Sequence, residues 1–287
     1  MRKWRLSFVL LLLVAPCLSQ TVDQLSAIVV LLYRTEEHPA MKDGKPIMDG
    51  DKPRIERVTK YGTGFFVTPD GSTTILVTAE HVSTEIKSDF RIIARGESDT
   101  PLEMSSEQLA GTKDVDWITH GKEDVAVTIL HPNKDTLVKL AGRFMSRNQI
   151  ASDSVAPSRD RPLTALGFPL ALGAAGHFSP ISRDSKPVSG LITLPRFDIQ
   201  TPATFFLLGD PSIAGFSGAP VFLIAAPYTT GQLLSLPASG TPTLCVGVVH
   251  GTISDDTGGK MAAITPSMYL LETIDKAMKQ NQIPSRK

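Results

Sequence analysis

The sequence predicts an all-β protein, a barrel or sandwich of short strands closed by one C-terminal helix. Three observations carry that expectation. Short β-branched and aromatic runs recur from Ser26 to Ile264, separated by Gly, Pro, Asp and Ser. Turn chemistry falls between them, as in Pro69-Asp70-Gly71-Ser72, where Pro presets φ and Gly accepts a positive φ. The period changes only near the end, where Leu270, Leu271, Ile274 and Met278 make one helical stripe.

In chain order, residues 1–19 come first. A basic start at Arg2, Lys3 and Arg5 is followed by a run of apolar residues and then Ser19, the pattern of a secretory signal peptide. The run is shorter than the ~20 residues a membrane-spanning helix needs. A lipoprotein reading with Cys17 acylated competes, but Pro16 and Val14 fit poorly in front of it. Strands are expected at 27–33, 64–68, 74–78, 91–94, 125–130, 190–193, 220–224 and 244–250. The polar stretch 36–53 reads as a surface loop. A boundary falls within 130–162, a segment rich in Asn, Lys, Ser, Asp and Arg. From Pro266 to about Asn281 the chain reads as a helix packed on the second half. Thr265 is expected to cap it, and Glu272–Lys276 and Asp275–Lys279 are its i,i+4 pairs.

Composition narrows the function. Lys plus Arg and Asp plus Glu each number 29, so the chain carries no net charge. Removing the signal would take away three basic residues and leave −3. No basic block or basic-aromatic interleaving points to nucleic acid. Cleavage after Ser19 would also leave Cys245 as the one cysteine, so no internal disulfide is expected. Cys245 reads as a small buried hydrophobe. No His/Cys/Asp cluster has metal-ligand spacing, and Asp255-Asp256 with Gly258-Gly259 reads as a turn; neither metal nor cofactor is expected.

Three residues in a fixed order carry the chemistry. His81 lies in Val77-Thr78-Ala79-Glu80-His81-Val82, Asp124 in Glu123-Asp124-Val125-Ala126-Val127, and Ser217 in Gly215-Phe216-Ser217-Gly218-Ala219-Pro220. Taken singly, each has an ordinary reading as a turn or strand-end residue. Together they give the order His, Asp, Ser, each member beside an apolar run. Subtilisin-type and α/β-hydrolase triads order the same chemistry differently. The esterase elbow Gly-x-Ser-x-Gly is absent.

With Gly62-Thr63-Gly64-Phe65-Phe66-Val67, Gly167-Phe168-Pro169-Leu170 and Gly247-Val248-Val249-His250-Gly251 added, the chain resembles the trypsin-like (chymotrypsin-fold) serine peptidases in their bacterial exported branch, over about 26–278. The resemblance implies a signal peptide (1–19) and one peptidase domain (20–287). That domain would hold two six-stranded antiparallel barrels, about 26–145 and 160–265, and a helix at about 266–281. It implies Ser217 as nucleophile, His81 as base and Asp124 as its partner, in a cleft between the barrels. The backbone N–H groups of Gly215 and Ser217 would form the oxyanion hole. The implied activity is hydrolysis of a protein or peptide substrate, in the periplasm or outside the cell, with no membrane span after signal cleavage. A catalytically silent protein that binds peptides or partners on the same fold is the alternative.

Specificity is read from departures. Phe216 stands where trypsin has the aspartate that pairs with a freshly cut N-terminus, so activation by internal cleavage is not expected. Pro211 occupies the floor of the primary pocket, which argues against an acidic, trypsin-type pocket. His250 offers preference for acidic residues, as in the glutamyl endopeptidases, but lies one residue later than their pattern, and a one-residue slip turns a strand side chain to the other face. Apart from that option, His250 reads, with His38, His120, His131 and His177, as surface or structural. The segment 167–190 reads as a flexible loop beside the cleft.

Overall fold

A computed structural model of the chain describes residues 21–225 and 243–282; residues 1–19, where a signal peptide is expected, and with them Cys17, lie outside these. Two antiparallel sheets dominate, each larger than the six strands expected. In the first, the spatial order is Ile118–Thr119, Ala126–Leu130, Thr74–Thr78, Ile55–Thr68, Val29–Pro39, Arg91–Arg95 and Pro101–Ser105. Met145–Ser146 adds a short parallel pair at Val67 and Thr68. In the second, the order is Ile181–Ser185, Leu163–Gly167, Pro220–Leu223, Leu244–Ser254, Lys260–Pro266, Pro202–Leu208 and Ile192–Pro195. In sequence the first sheet ends at Met145–Ser146 and the second begins at Leu163–Gly167.

Alternation builds the cores. In the strand around Phe65, Phe66 and Val67, Phe65 and Val67 pack with Val29, Leu31 and Val77, while Phe66 faces the opposite side with Val30, Leu32 and Leu76. Between Thr68 and Thr74 the turn forms as expected: Gly71 has φ +79° and the Asp70 carboxylate accepts from the N–H groups of Ser72 and Thr73. Those bonds, Thr73 first, hold its carboxyl down at about 2.

The segment 36–53 is not a plain loop. Val29–Pro39 and Ile55–Thr68 pair without a break from Val29↔Phe65 to Pro39↔Ile55, so a long hairpin projects past the core. Two small exposed hairpins, Met41–Lys42 with Lys45–Pro46 and Met48–Asp49 with Lys52–Pro53, fill its tip.

The C-terminal helix Ser267–Asn281 spans both halves rather than packing on the second alone. Leu270, Ile274 and Ala277 share one cluster with Val125 and Val127 of the first sheet and Cys245 and Val248 of the second. Asp275 pairs with Arg147, Glu272 meets His120 at 3.0 Å, and Lys276 donates to the Thr119 carbonyl at 2.8 Å. Those tertiary partners take three of the four charges expected to pair along the helix. Thr265 is no cap; it is buried in Lys260–Pro266, and Pro266 precedes the helix with no side-chain cap. Among the described residues no helix is long and apolar enough to cross a membrane.

Candidate active site

His81 sits in the first turn of a short helix, Glu80–Ile86, which follows directly on Thr74–Thr78. Val82 and Ile86 bury one face of that helix against Leu32, Phe66 and Leu76. Asp124 lies just before Ala126–Leu130, the neighbouring strand, and is fully buried. The strand pairing brings helix and loop together, and the contacts follow. Asp124 Oδ2 lies 2.8 Å from His81 Nδ1, and Asp124 Oδ1 accepts from the His81 backbone N–H at 3.0 Å.

A second imidazole shares the same carboxylate. His250, from the long strand Leu244–Ser254, places Nδ1 2.5 Å from Asp124 Oδ2. A carboxylate oxygen only accepts, so both rings carry their proton on Nδ1. That leaves the lone pair of the neutral His81 ring on Nε2, and lets His250 Nε2 accept from the Phe197 N–H at 3.5 Å. His250 is 2% exposed, stacked on Phe205 and covered by Phe197. Its ring is thus engaged with Asp124 and flanked by Phe197 and Phe205, rather than set apart as a surface residue. His81 Nδ1, His250 Nδ1 and Asp124 Oδ2 form a tight set of ligand-type atoms, all within 4.8 Å, that sequence spacing did not reveal. The two N–H protons supply its positive partners.

Ser217 is half-buried on the loop entering Pro220–Leu223. Its Oγ donates to the His250 carbonyl at 3.1 Å rather than to His81. His250 thereby links all three: its carbonyl takes the serine hydroxyl and its ring holds the carboxylate that orients His81.

The loop geometry explains the glycines. Phe216 N–H bonds the Ile213 carbonyl, closing a turn with Gly215 at its third position and φ +98°, as a type II turn requires. A Cβ on Gly215 would also lie 2.4 Å from the Phe168 carbonyl. Among the described residues, the N–H groups of Gly215 and Ser217 have no protein acceptor, whereas those of Phe216, Gly218 and Ala219 are bonded. Phe216 is 2% exposed, packed with Leu163, Phe206 and Val221. An apolar anchor thus tethers the loop.

Four residues went unnoticed in the sequence. Thr63 Oγ1 donates to the Gly215 carbonyl at 2.6 Å and accepts from Phe168 N–H at 3.0 Å, while Thr63 N–H donates to the Ser217 carbonyl at 2.8 Å. Arg196 reaches Asp124 Oδ1 at 3.1 Å and Glu80 at 2.6 Å. Phe197 sets its ring edge-on to His81, 5.0 Å between centroids, and is half exposed. Glu80's position before His81 and Thr63's within a Gly-Thr-Gly string were the available signals; an arginine 72 residues beyond Asp124 gave none.

Other expectations need adjustment. The segment 167–190 is not one flexible loop: it contains the strand Ile181–Ser185, and Leu170, at φ +53°, donates its N–H to the Ala214 carbonyl. Pro211 precedes Ser212, whose carbonyl accepts from Thr252 Oγ1 at 2.7 Å. Exposed Asp210 has its N–H on Ser185 Oγ, at 3.0 Å.

The electrostatics are set by burial and by partners. Burial pushes the Asp124 carboxyl up, but His81 and the hydrogen bond from His250 outweigh it and hold the carboxyl far below the usual range. For His81 burial favours the neutral ring, yet Asp124, then Asp198 and Glu85, bring its pKa above the ordinary value.

Solved serine proteases share this overall fold. The Rv3671c protease of M. tuberculosis H37Rv matches in its inactive form over 91% of this chain and 92% of that one, at 13% identity and a TM-score of 0.50. In its active form it matches over 89% and 83%, at 15% identity and a TM-score of 0.50. The chain has the chymotrypsin-type serine protease fold. A thermostable serine protease from an extremophilic microorganism gives 14% identity over 90% of this chain and all of that one, at a TM-score of 0.51. No family model and no curated protein sequence matches the chain.

Proposed function

We propose that the chain is an exported serine endopeptidase that cleaves protein or peptide substrates through an acyl-enzyme. Ser217 Oγ attacks the scissile carbonyl as His81 Nε2 takes its proton; His81 then protonates the leaving amine. Asp124 fixes the His81 tautomer and stabilises the imidazolium. The N–H groups of Gly215 and Ser217 receive the developing oxyanion, an interaction worth about 3 kcal/mol per donor. The hydroxyl leaves the His250 carbonyl and turns to His81 as substrate enters; catalytic hydrogen bonds commonly tighten only in the complex.

The observation that carries this reading is the bond of 2.8 Å between His81 and Asp124, on a fold shared with serine proteases. Unpartnered N–H groups beside the serine support it. Pro211 stands at the sequence position that is acidic in trypsin, so no preference for a basic residue at the cleaved bond is proposed. Export rests on the signal-peptide pattern of residues 1–19; N-terminal sequencing of the mature protein should find it cut near Ser19.

A fluorophosphonate probe tests the chemistry. The folded protein should be labelled at Ser217, with the label lost in Ser217→Ala and cut by orders of magnitude in His81→Ala. Folded wild-type protein that takes no label would point instead to a silent binding protein.

A further inference from the structure

We propose that Arg196 is a positioning residue, a guanidinium from the second sheet that clamps the base-bearing helix and the acid-bearing loop of the first. The proposal rests on the serine peptidase reading above. Arg196 follows Ile192–Pro195 and is only 1% exposed, the largest of the fully buried side chains. Its Nε and one terminal nitrogen grip Asp198 at 3.0 and 2.6 Å, a two-pronged hold that fixes the plane of the fork. The same terminal nitrogen reaches Asp124 Oδ1 at 3.1 Å; the other reaches Glu80 at 2.6 Å and the Lys122 carbonyl at 3.3 Å.

The geometry says what the clamp fixes. Glu80 opens the helix whose next residue is His81, so holding its carboxylate sets the pitch of that first turn. Asp124 Oδ1 is shared by Arg196 and the His81 N–H, which leaves Oδ2 to the two imidazoles and settles the carboxylate plane. The same segment adds a second tie across the cleft, since the Thr204 N–H donates to Glu123 at 2.7 Å. Only a planar fork with several donors can serve three carboxylates and a carbonyl together; an ammonium cannot.

The clamp also carries charge. Around His81 stand the carboxylates Asp124, Asp198, Glu80 and Glu85, the ring of His250 and one buried cation, Arg196. Without that cation the carboxylates act on His81 unopposed. Its proton is then held to higher pH, and the acid limb of the acylation rate rises with it.

Arg196→Met and Arg196→Lys in the full chain separate geometry from charge. Two readouts apply across the acid and neutral range: the rate of fluorophosphonate labelling at Ser217 and the NMR titration of the His81 ring. Arg196→Met should label roughly 10²-fold more slowly, the scale of a small misplacement of catalytic groups, with the limb and the titration midpoint both moved upward. Arg196→Lys keeps the charge, so its limb should stay near that of wild type while the rate falls. A folded Arg196→Met with unmoved limb and midpoint overturns the proposal, whatever its rate. Where circular dichroism shows that Arg196→Met does not fold, Arg196→Lys decides, and a wild-type rate there overturns it. A wild-type protein that takes no label sinks the peptidase reading, while the His81 titration still judges Arg196.

Discussion

Thr63 makes four hydrogen bonds, and each ties one part of the surroundings of Ser217 to another. Its hydroxyl spans Gly215 and Phe168, its N–H holds the Ser217 carbonyl, and its own carbonyl accepts from Thr78 Oγ1 at 2.7 Å. Thr63→Val keeps the shape but strands a buried carbonyl and a buried N–H. The expected cost is about 1–3 kcal/mol, read as a lower urea midpoint, and labelling of Ser217 should slow because the Gly215 turn loosens. Thr63→Ser should restore most of both; a wild-type rate in folded Thr63→Val would show that the hydroxyl does not set the loop. Gly218 is more constrained still, with φ +85° and a would-be Cβ 2.1 Å from the Thr63 carbonyl. Gly218→Ala should leave little soluble folded protein on gel filtration, since the loop and the Ile55–Thr68 strand beside it cannot yield that distance.

Among elements, legibility followed side-chain character. Strands rich in Val and Ile stood out, and so did the amphipathic C-terminal helix, whereas Pro202–Leu208 was not singled out despite Phe205 and Phe206. Leu163–Gly167 and Lys260–Pro266 were missed because their inward positions include small residues, Ala165, Ala262 and Ala263, with little β preference of their own. Ile181–Ser185 was missed because it is an edge strand with a polar sequence, Ile-Ser-Arg-Asp-Ser. The helix was found but not its role, because amphipathicity reveals a buried face without saying what covers it. Its Leu270, Ile274 and Ala277 touch both cores, so the helix braces the two sheets against each other. Ile274→Ala should cost about 2–5 kcal/mol and lower the denaturation midpoint of the whole domain in a single transition. Two separate transitions would show that the sheets unfold independently of the brace.

For the whole molecule, His81, Asp124 and Ser217 could be singled out because each lies in a short local motif beside a strand, whereas the network around them could not. Arg196, Thr63 and the ring of His250 meet the triad only through the closure of two sheets, which no local pattern encodes. That network links folding to pH with opposite signs. Asp124 has a depressed folded pKa, so its contribution is full above the unfolded value of about 4 and is lost as pH falls toward the folded one. His81 has a raised folded pKa, so its contribution is full below about 6.5 and is lost as pH rises through the folded one. Between these two limits both groups stabilise the fold, and above them stability should decline just where His81 loses its proton and becomes a base. Urea midpoints measured against pH should show that decline in Ser217→Ala and not in His81→Ala; a decline of equal size in both would assign it to other groups.

Cys245 sits at the seam between the sheets, fully buried, and burial pushes its thiol up to about 12. A thiol so placed is closed to maleimides until the surrounding layers part. In a Cys17→Ser chain it is the sole sulfhydryl, so its alkylation rate in the native state becomes a stopwatch for the molecule's own breathing, with no dye, tag or substrate required.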